Sequence, residues 1–77
     1  MTVVLRDPTP AEVLILRALA DEWHNRAGLY HVEDIFHLAA HRTGVDVDRV
    51  LRVKERWSLT FQEMLRERGA APMEVAA

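Results

Sequence analysis

Cysteine is absent from the chain of 77 residues, which excludes a disulfide framework and a thiolate metal site. Glycine and proline each occur only three times, so no glycine-rich phosphate loop and no low-complexity segment is present. Long apolar runs are also missing near the start, where Val3-Val4-Leu5 is followed by Arg6 and Asp7. Such a run is too short for a signal peptide or a membrane span, and we expect a cytoplasmic protein.

Groups that could perform catalysis are scarce. Ser58 is the single serine, and the spacing suggests no His-Asp pair to activate it. Neighbouring carboxylates such as Glu33 and Asp34 point in different directions on a helix and do not converge on a substrate. A chain this small also has little volume for a deep pocket. We therefore expect a non-enzyme that binds no cofactor and no small-molecule substrate.

Positive charge is not in excess, because the formal net charge is −2. A dedicated nucleic-acid binder usually has surplus Lys and Arg to neutralise phosphates. The charge is unevenly distributed, however, and residues 40–69 hold seven bases against five acids. Arginine outnumbers lysine nine to one, a usage associated with GC-rich bacterial or phage genes. The second half of the chain is therefore the candidate for binding an anionic partner.

Apolar residues make up 49% of the chain and recur at intervals of three and four, which predicts an all-α domain with one small core. Thr9-Pro10-Ala11-Glu12 is typical of a helix start, with Thr9 and Glu12 forming a capping box, and this helix is expected to extend to about Arg26. A second helix is predicted over 32–42 and a long third helix over about 47–68. We expect a three-helix domain over 9–69, an extended N-terminal arm over 1–8 and a flexible tail over 70–77.

The stretch HLAAHRTGVDVDRVL, residues 37–51, contains a tight corner between the second and third helices. Ala40, Gly44 and Val50 have the spacing of the small residue, the turn glycine and the buried aliphatic residue found where two helices cross steeply. The segment over about 36–55 resembles the helix-turn-helix superfamily. This resemblance implies that the third helix lies in the major groove of DNA, with Asp46 and Asp48 near its N-terminal end.

A stripe of arginines lies nearly opposite the apolar seam of the third helix. Arg49, Arg52 and Arg56 recur at three and four, and Arg42 at the corner extends the stripe. Such residues can contact phosphates, and Arg52 is also placed to contact a base. The sequence thus favours a small DNA-associated regulatory protein, of bacterial or phage type, in which these four arginines bind DNA.

A second interpretation is that the protein is an interaction module that acts as an inhibitor, adaptor or assembly factor. The long third helix is expected to reach beyond its shorter neighbours, leaving Trp57, Phe61, Met64 and Leu65 as an exposed apolar end for a partner or for a homodimer. The arginines are then a solvated face, with Asp48 and Arg52 spaced for an ion pair. The sequence is compatible with both DNA binding and protein binding.

The histidines raise the possibility of a metal site. Glu33, His37 and His41 are four residues apart and lie along one polar helix face. A His pair at this spacing can bind zinc, but the glutamate of the zincin signature is missing from HLAAH. We interpret these side chains as solvated and expect no metal.

Overall fold

The computed structural model describes residues 7–73 and contains four α-helices in this part of the chain. They are α1 Pro10–Arg26, α2 Val32–Thr43, α3 Val47–Arg56 and α4 Ser58–Glu67. The all-α prediction is confirmed, although the helices number four and not three. The predicted arm over 1–8 lies almost wholly outside the described residues, and residues 74–77 of the predicted tail also lie outside them.

The start of α1 has the predicted capping box. The Glu12 amide donates to Oγ1 of Thr9 at 3.2 Å, and the Thr9 amide donates to Oε1 of Glu12 at 2.9 Å. Pro10 takes the first helical position, where no intrahelical donor is required. The start of the helix is therefore fixed by local chemistry.

The corner between α2 and α3 is closed by Gly44, whose φ of +72° lies in the left-handed region. The Val45 amide donates to the carbonyl of Ala40 at 3.1 Å, which satisfies an end carbonyl of α2. A Cβ at Gly44 would meet nothing within 4 Å, so backbone conformation and not space selects glycine here. Asp46 occupies the N-cap position of α3 as expected, but its side chain makes no capping hydrogen bond.

The long third helix of the sequence prediction is divided at Trp57. Its φ of −116° and ψ of 38° lie outside the helical region, and α4 begins at the next residue. The chain is thereby redirected so that α4 packs against α1. The expectation of one helix extending past its neighbours is wrong for this reason.

The core is formed by α1 at the centre, in contact with each of the other three helices. Within residues 7–73 every buried side chain is apolar, and no polar or charged side chain is buried. The buried residues are Ile15, Leu16, Ala18, Leu19, Ala20, Ile35, Phe36, Ala39, Ala40, Val50, Val53, Phe61, Leu65 and Met73. Across the same residues, none of the helices has the length and apolar character needed to cross a lipid bilayer.

The first described residues of the predicted tail pack on the domain. Gly69 adopts a φ of +69°, after which the Ala70 amide donates to the carbonyl of Leu65 at 2.9 Å. The Trp23 indole donates to the carbonyl of Ala71 at 2.7 Å, and Met73 is 4% exposed. Residues 70–73 are therefore a packed segment, because Met73 supplies apolar surface that the core can bury.

Candidate nucleic-acid interface

Three of the four predicted DNA contacts lie together. Arg49, Arg52 and Arg56 are exposed on α3 and line one open groove, which also has Glu12 and Val53 in its walls. The groove, hereafter the arginine groove, runs between α3 and the start of α1. The spacing of three and four places the three arginines along one edge of α3, as the sequence predicted.

The guanidinium groups of the arginine groove are not engaged in ion pairs within the described part of the chain. The ion pairs found there involve Arg26, Arg42 and Arg68 instead. The pair that the sequence suggested between Asp48 and Arg52 is not among them. Arg56 lies over the ring of Trp57, 5.5 Å from its centroid, an arrangement that orients the guanidinium and leaves its charge intact.

Glu12 is the one acidic residue among those that line the arginine groove. Its Oε1 accepts from the Thr9 amide, and its Oε2 accepts from the Trp57 indole at 2.8 Å. These donors, first the Thr9 amide and then the indole, lower the pKa of Glu12 from 4.5 to about 2, with help from the positive charge of Arg56. The side chain is therefore a fixed negative charge that joins the start of α1 to the break between α3 and α4.

We predict that Glu12 makes the stability of the fold depend on pH. Its pKa is lower in the folded chain, so the ionised carboxylate stabilises the fold above about pH 4.5, and this contribution is lost as the pH falls toward 2. Glu12→Gln should therefore reduce the acid-induced decrease in the urea midpoint, measured by tryptophan fluorescence between about pH 5 and pH 3. Glu63→Gln, at an exposed position of α4, is the matched control. If acid lowered the urea midpoint of the Glu12 variant as much as that of the unmodified chain, the prediction would be contradicted.

Arg42 does not lie with the other three arginines. Its guanidinium is 3.5 Å from Oδ2 of Asp21 and 3.7 Å from Oε1 of Glu22, both on α1. Asp21 is also paired with Arg68 at 2.7 Å, and Glu22 with Arg26 at 2.6 Å. Arg42 thus belongs to a chain of ion pairs that connects α1, α2 and the end of α4.

The predicted partner interface is not an exposed surface. Phe61 is 0% and Leu65 is 1% exposed, while Met64 and Trp57 are partly buried against the core. The prediction is wrong for Phe61 and Leu65 because the break at Trp57 brings α4 back onto α1. Among residues 7–73, the large apolar side chains that are exposed are Leu14, Leu29, Tyr30, Leu51 and Leu59, and of these only Leu59 lies on α4.

The remainder of the α3 surface carries acidic residues. Asp46, Asp48 and Glu55 are exposed, but none of them lines the arginine groove. Lys54 is half-buried, and desolvation lowers its pKa. The acids therefore balance the arginines in number while lying apart from the groove.

The polar row on α2 is exposed at Glu33, His37 and His41, as the sequence predicted. Among residues 7–73, no three side chains of metal-binding type converge on one point.

The contact between Glu12 and Trp57 is the feature of this site that sequence reasoning missed. The sequence identified Glu12 only as part of a capping box, and Trp57 only as part of the predicted partner interface. Their separation of 45 residues leaves no local pattern that could reveal the contact.

Comparison with known proteins identifies no family model, no curated protein and no solved structure that matches this chain.

Proposed function

We propose that the protein is a small, non-enzymatic, DNA-associated regulatory protein that binds duplex DNA through α2 and α3. The observation that carries this proposal is the arginine groove, in which Arg49, Arg52 and Arg56 lie on one edge of α3 without ion-pair partners among residues 7–73. A cytoplasmic location is part of the proposal, because there the protein would meet bacterial or phage DNA.

The arrangement of α2 and α3 supports the helix-turn-helix interpretation. Ala40 and Val50 are buried in the angle between the helices, and Gly44 closes the turn. In this interpretation α3 approaches the major groove while its arginine edge contacts the backbone. The resemblance of α2 and α3 to helix-turn-helix proteins is itself part of what we propose.

The dimensions of the edge suit a DNA strand. Seven residues separate Arg49 from Arg56, which corresponds to about 10 Å along a helix axis. A strand of duplex DNA carries one phosphate per 3.4 Å of duplex axis, and successive phosphates are farther apart along the strand itself, so the edge together with its long arginine side chains spans about two to three phosphates. Contacts to phosphate position a protein but do not read sequence. We therefore propose that affinity comes mainly from the backbone, with base contacts limited by Asp46 and Asp48.

The alternative of a protein-binding module has less support. Phe61 and Leu65, on which it depended, are in the core. Within residues 7–73, the large apolar side chains that are exposed are distributed over α1, the turn after it, α3 and α4, and scattered exposed apolar residues are normal on soluble proteins. Homodimerisation through the same end of the chain would lack its surface as well. DNA is therefore the ligand that we propose.

The proposal predicts a specific dependence of binding on salt. Three phosphate contacts should give a slope of about −2.5 to −3 for log affinity against log salt concentration on a labelled duplex. Arg52→Gln or Arg56→Gln should each make the slope less negative by about 0.9. The measurement is fluorescence anisotropy over a series of salt concentrations.

Arg66→Gln is the matched control, since Arg66 is exposed on α4 outside the arginine groove. It removes the same charge and should leave the slope unchanged. An absence of binding at low salt, or equal effects of the Arg56 and Arg66 variants, would contradict the proposal.

A further inference from the structure

We infer that Glu12 sets the strength of phosphate binding in the arginine groove, because its negative charge opposes the incoming phosphate while its hydrogen bonds hold the two walls of the groove together. This inference rests on the proposed function and assigns a role within the same site. The ligand that it concerns is a phosphate group of the DNA backbone.

The groove combines three cationic side chains with one anionic side chain. Guanidinium groups are suited to phosphate oxygens, which they can bind through two parallel hydrogen bonds. No ion pair joins Glu12 to Arg49, Arg52 or Arg56 within the described residues. The carboxylate therefore lowers the positive potential of the groove without occupying any one guanidinium.

The hydrogen bonds of Glu12 give it a second effect on the groove. One wall is the start of α1, where the Thr9 amide donates to Glu12, and the other is α3, whose C-cap is Trp57. The indole of Trp57 donates to the same carboxylate, so the contact fixes the distance between the walls. Glu12 is thus a positioning residue for the arginines and also an internal competitor of their ligand.

Replacing Glu12 with glutamine removes the charge but keeps only one of the two acceptor oxygens, so one of the two hydrogen bonds is lost with it. A unit charge removed from about 5–10 Å away in a high-dielectric environment should tighten duplex binding about two- to fourfold at low salt. Trp57→Phe, which loses the indole hydrogen bond and keeps the charge, separates the two effects and should not tighten binding. The anisotropy assay would be performed at a temperature at which circular dichroism shows all of these proteins folded.

Glu63→Gln provides the control for net charge. Glu63 is exposed on α4 and lines a different groove with Arg17 and Thr60. At the same ionic strength its charge, which lies outside the arginine groove, should change the affinity less than the Glu12 charge does, by less than about 1.5-fold. Equal tightening by both variants, or weaker binding by a folded Glu12 variant, would overturn the inference.

A second measurement requires neither a Glu12 variant nor DNA. Inorganic pyrophosphate would be titrated at constant ionic strength into isotope-labelled protein, and the two indole N–H signals would be followed by NMR. The Trp57 signal should shift because its donor bonds to Glu12 in the groove, whereas the Trp23 signal should not, because it bonds to Ala71. The Trp57→Phe variant assigns the signals.

The two experiments distinguish failure of the inference from failure of the proposed function. A selective Trp57 shift without duplex binding would support a phosphate site at Glu12 and contradict DNA as the ligand. Duplex binding with the expected salt slope, but with no selective Trp57 shift and no effect of Glu12→Gln, would overturn the inference alone.

Discussion

Replacing Phe61 with alanine should lower the free energy of unfolding by about 3–5 kcal/mol, the range for removing a buried phenyl ring. Phe61 is among the largest side chains of the core and is fully buried. A domain of this size has a net stability of only roughly 3–5 kcal/mol. The variant should therefore be largely unfolded at room temperature, as measured by far-UV circular dichroism and urea titration.

Leu59→Ala is the matched control for Phe61, since Leu59 lies on the same helix and is 81% exposed. Its unfolding free energy should change by less than about 0.5 kcal/mol. The pair tests the break at Trp57 directly, because an α4 extending into solvent would expose Phe61. If Phe61→Ala and Leu59→Ala were equally harmless, the packing of α4 on α1 would be contradicted.

Replacing Met73 with alanine should lower the unfolding free energy by about 2 kcal/mol, at the lower end of the range for buried methionine. Met73 lies four residues beyond Gly69, yet it is buried with the core. The low end applies because a short segment near the end of the domain can move to fill part of the cavity. Thermal unfolding would measure the loss.

Two controls accompany the Met73 variant. Met73→Leu preserves most of the volume and should cost less than about 1.5 kcal/mol. Ala71→Ser changes an exposed side chain but keeps the carbonyl that accepts from Trp23, so it should have almost no effect. A Met73→Ala variant as stable as the unmodified chain would contradict the packing of residues 70–73.

The parts of the fold that could be predicted depend on interactions within a few residues. Thr9, Pro10 and Glu12 define a helix start by their own hydrogen bonds, and Gly44 marks the corner because only glycine adopts its backbone conformation easily. The buried side of α2, at Ile35, Phe36 and Ala39, agrees with the three- and four-residue spacing of apolar residues from which the helices were predicted. These features need no knowledge of the rest of the chain.

The errors have a common physical origin in contacts between distant residues. Neither glycine nor proline marks the break at Trp57, and the contact that accompanies the break is with Glu12, far away in the sequence. The packing of Phe61 and Met73 depends on where that break directs the chain. On α1, Leu14 is 61% exposed although the next residue, Ile15, is buried, so apolar character alone does not determine which side chains enter the core.

The candidate site was predicted only in part, because contacts between residues distant in the sequence also determine it. The spacing along one helix was sufficient to group Arg49, Arg52 and Arg56. It was not sufficient to separate Arg42, because the acids that bind it lie on a different helix. Electrostatic partners across helices are set by tertiary structure and have no periodic signature in the sequence.

The entirely apolar interior, taken together with the two tryptophans, has an evolutionary consequence. Apolar contacts have no preferred direction, so cores of conserved volume accept many substitutions before stability is lost. Directional contacts between the helices lie instead at the periphery: two indole donors, one to Glu12 and one to the carbonyl of Ala71, and the ion pairs that join Arg42 and Arg68 to α1. Sequences could therefore drift widely at interior positions and keep the same helix orientations, provided that these peripheral contacts are retained.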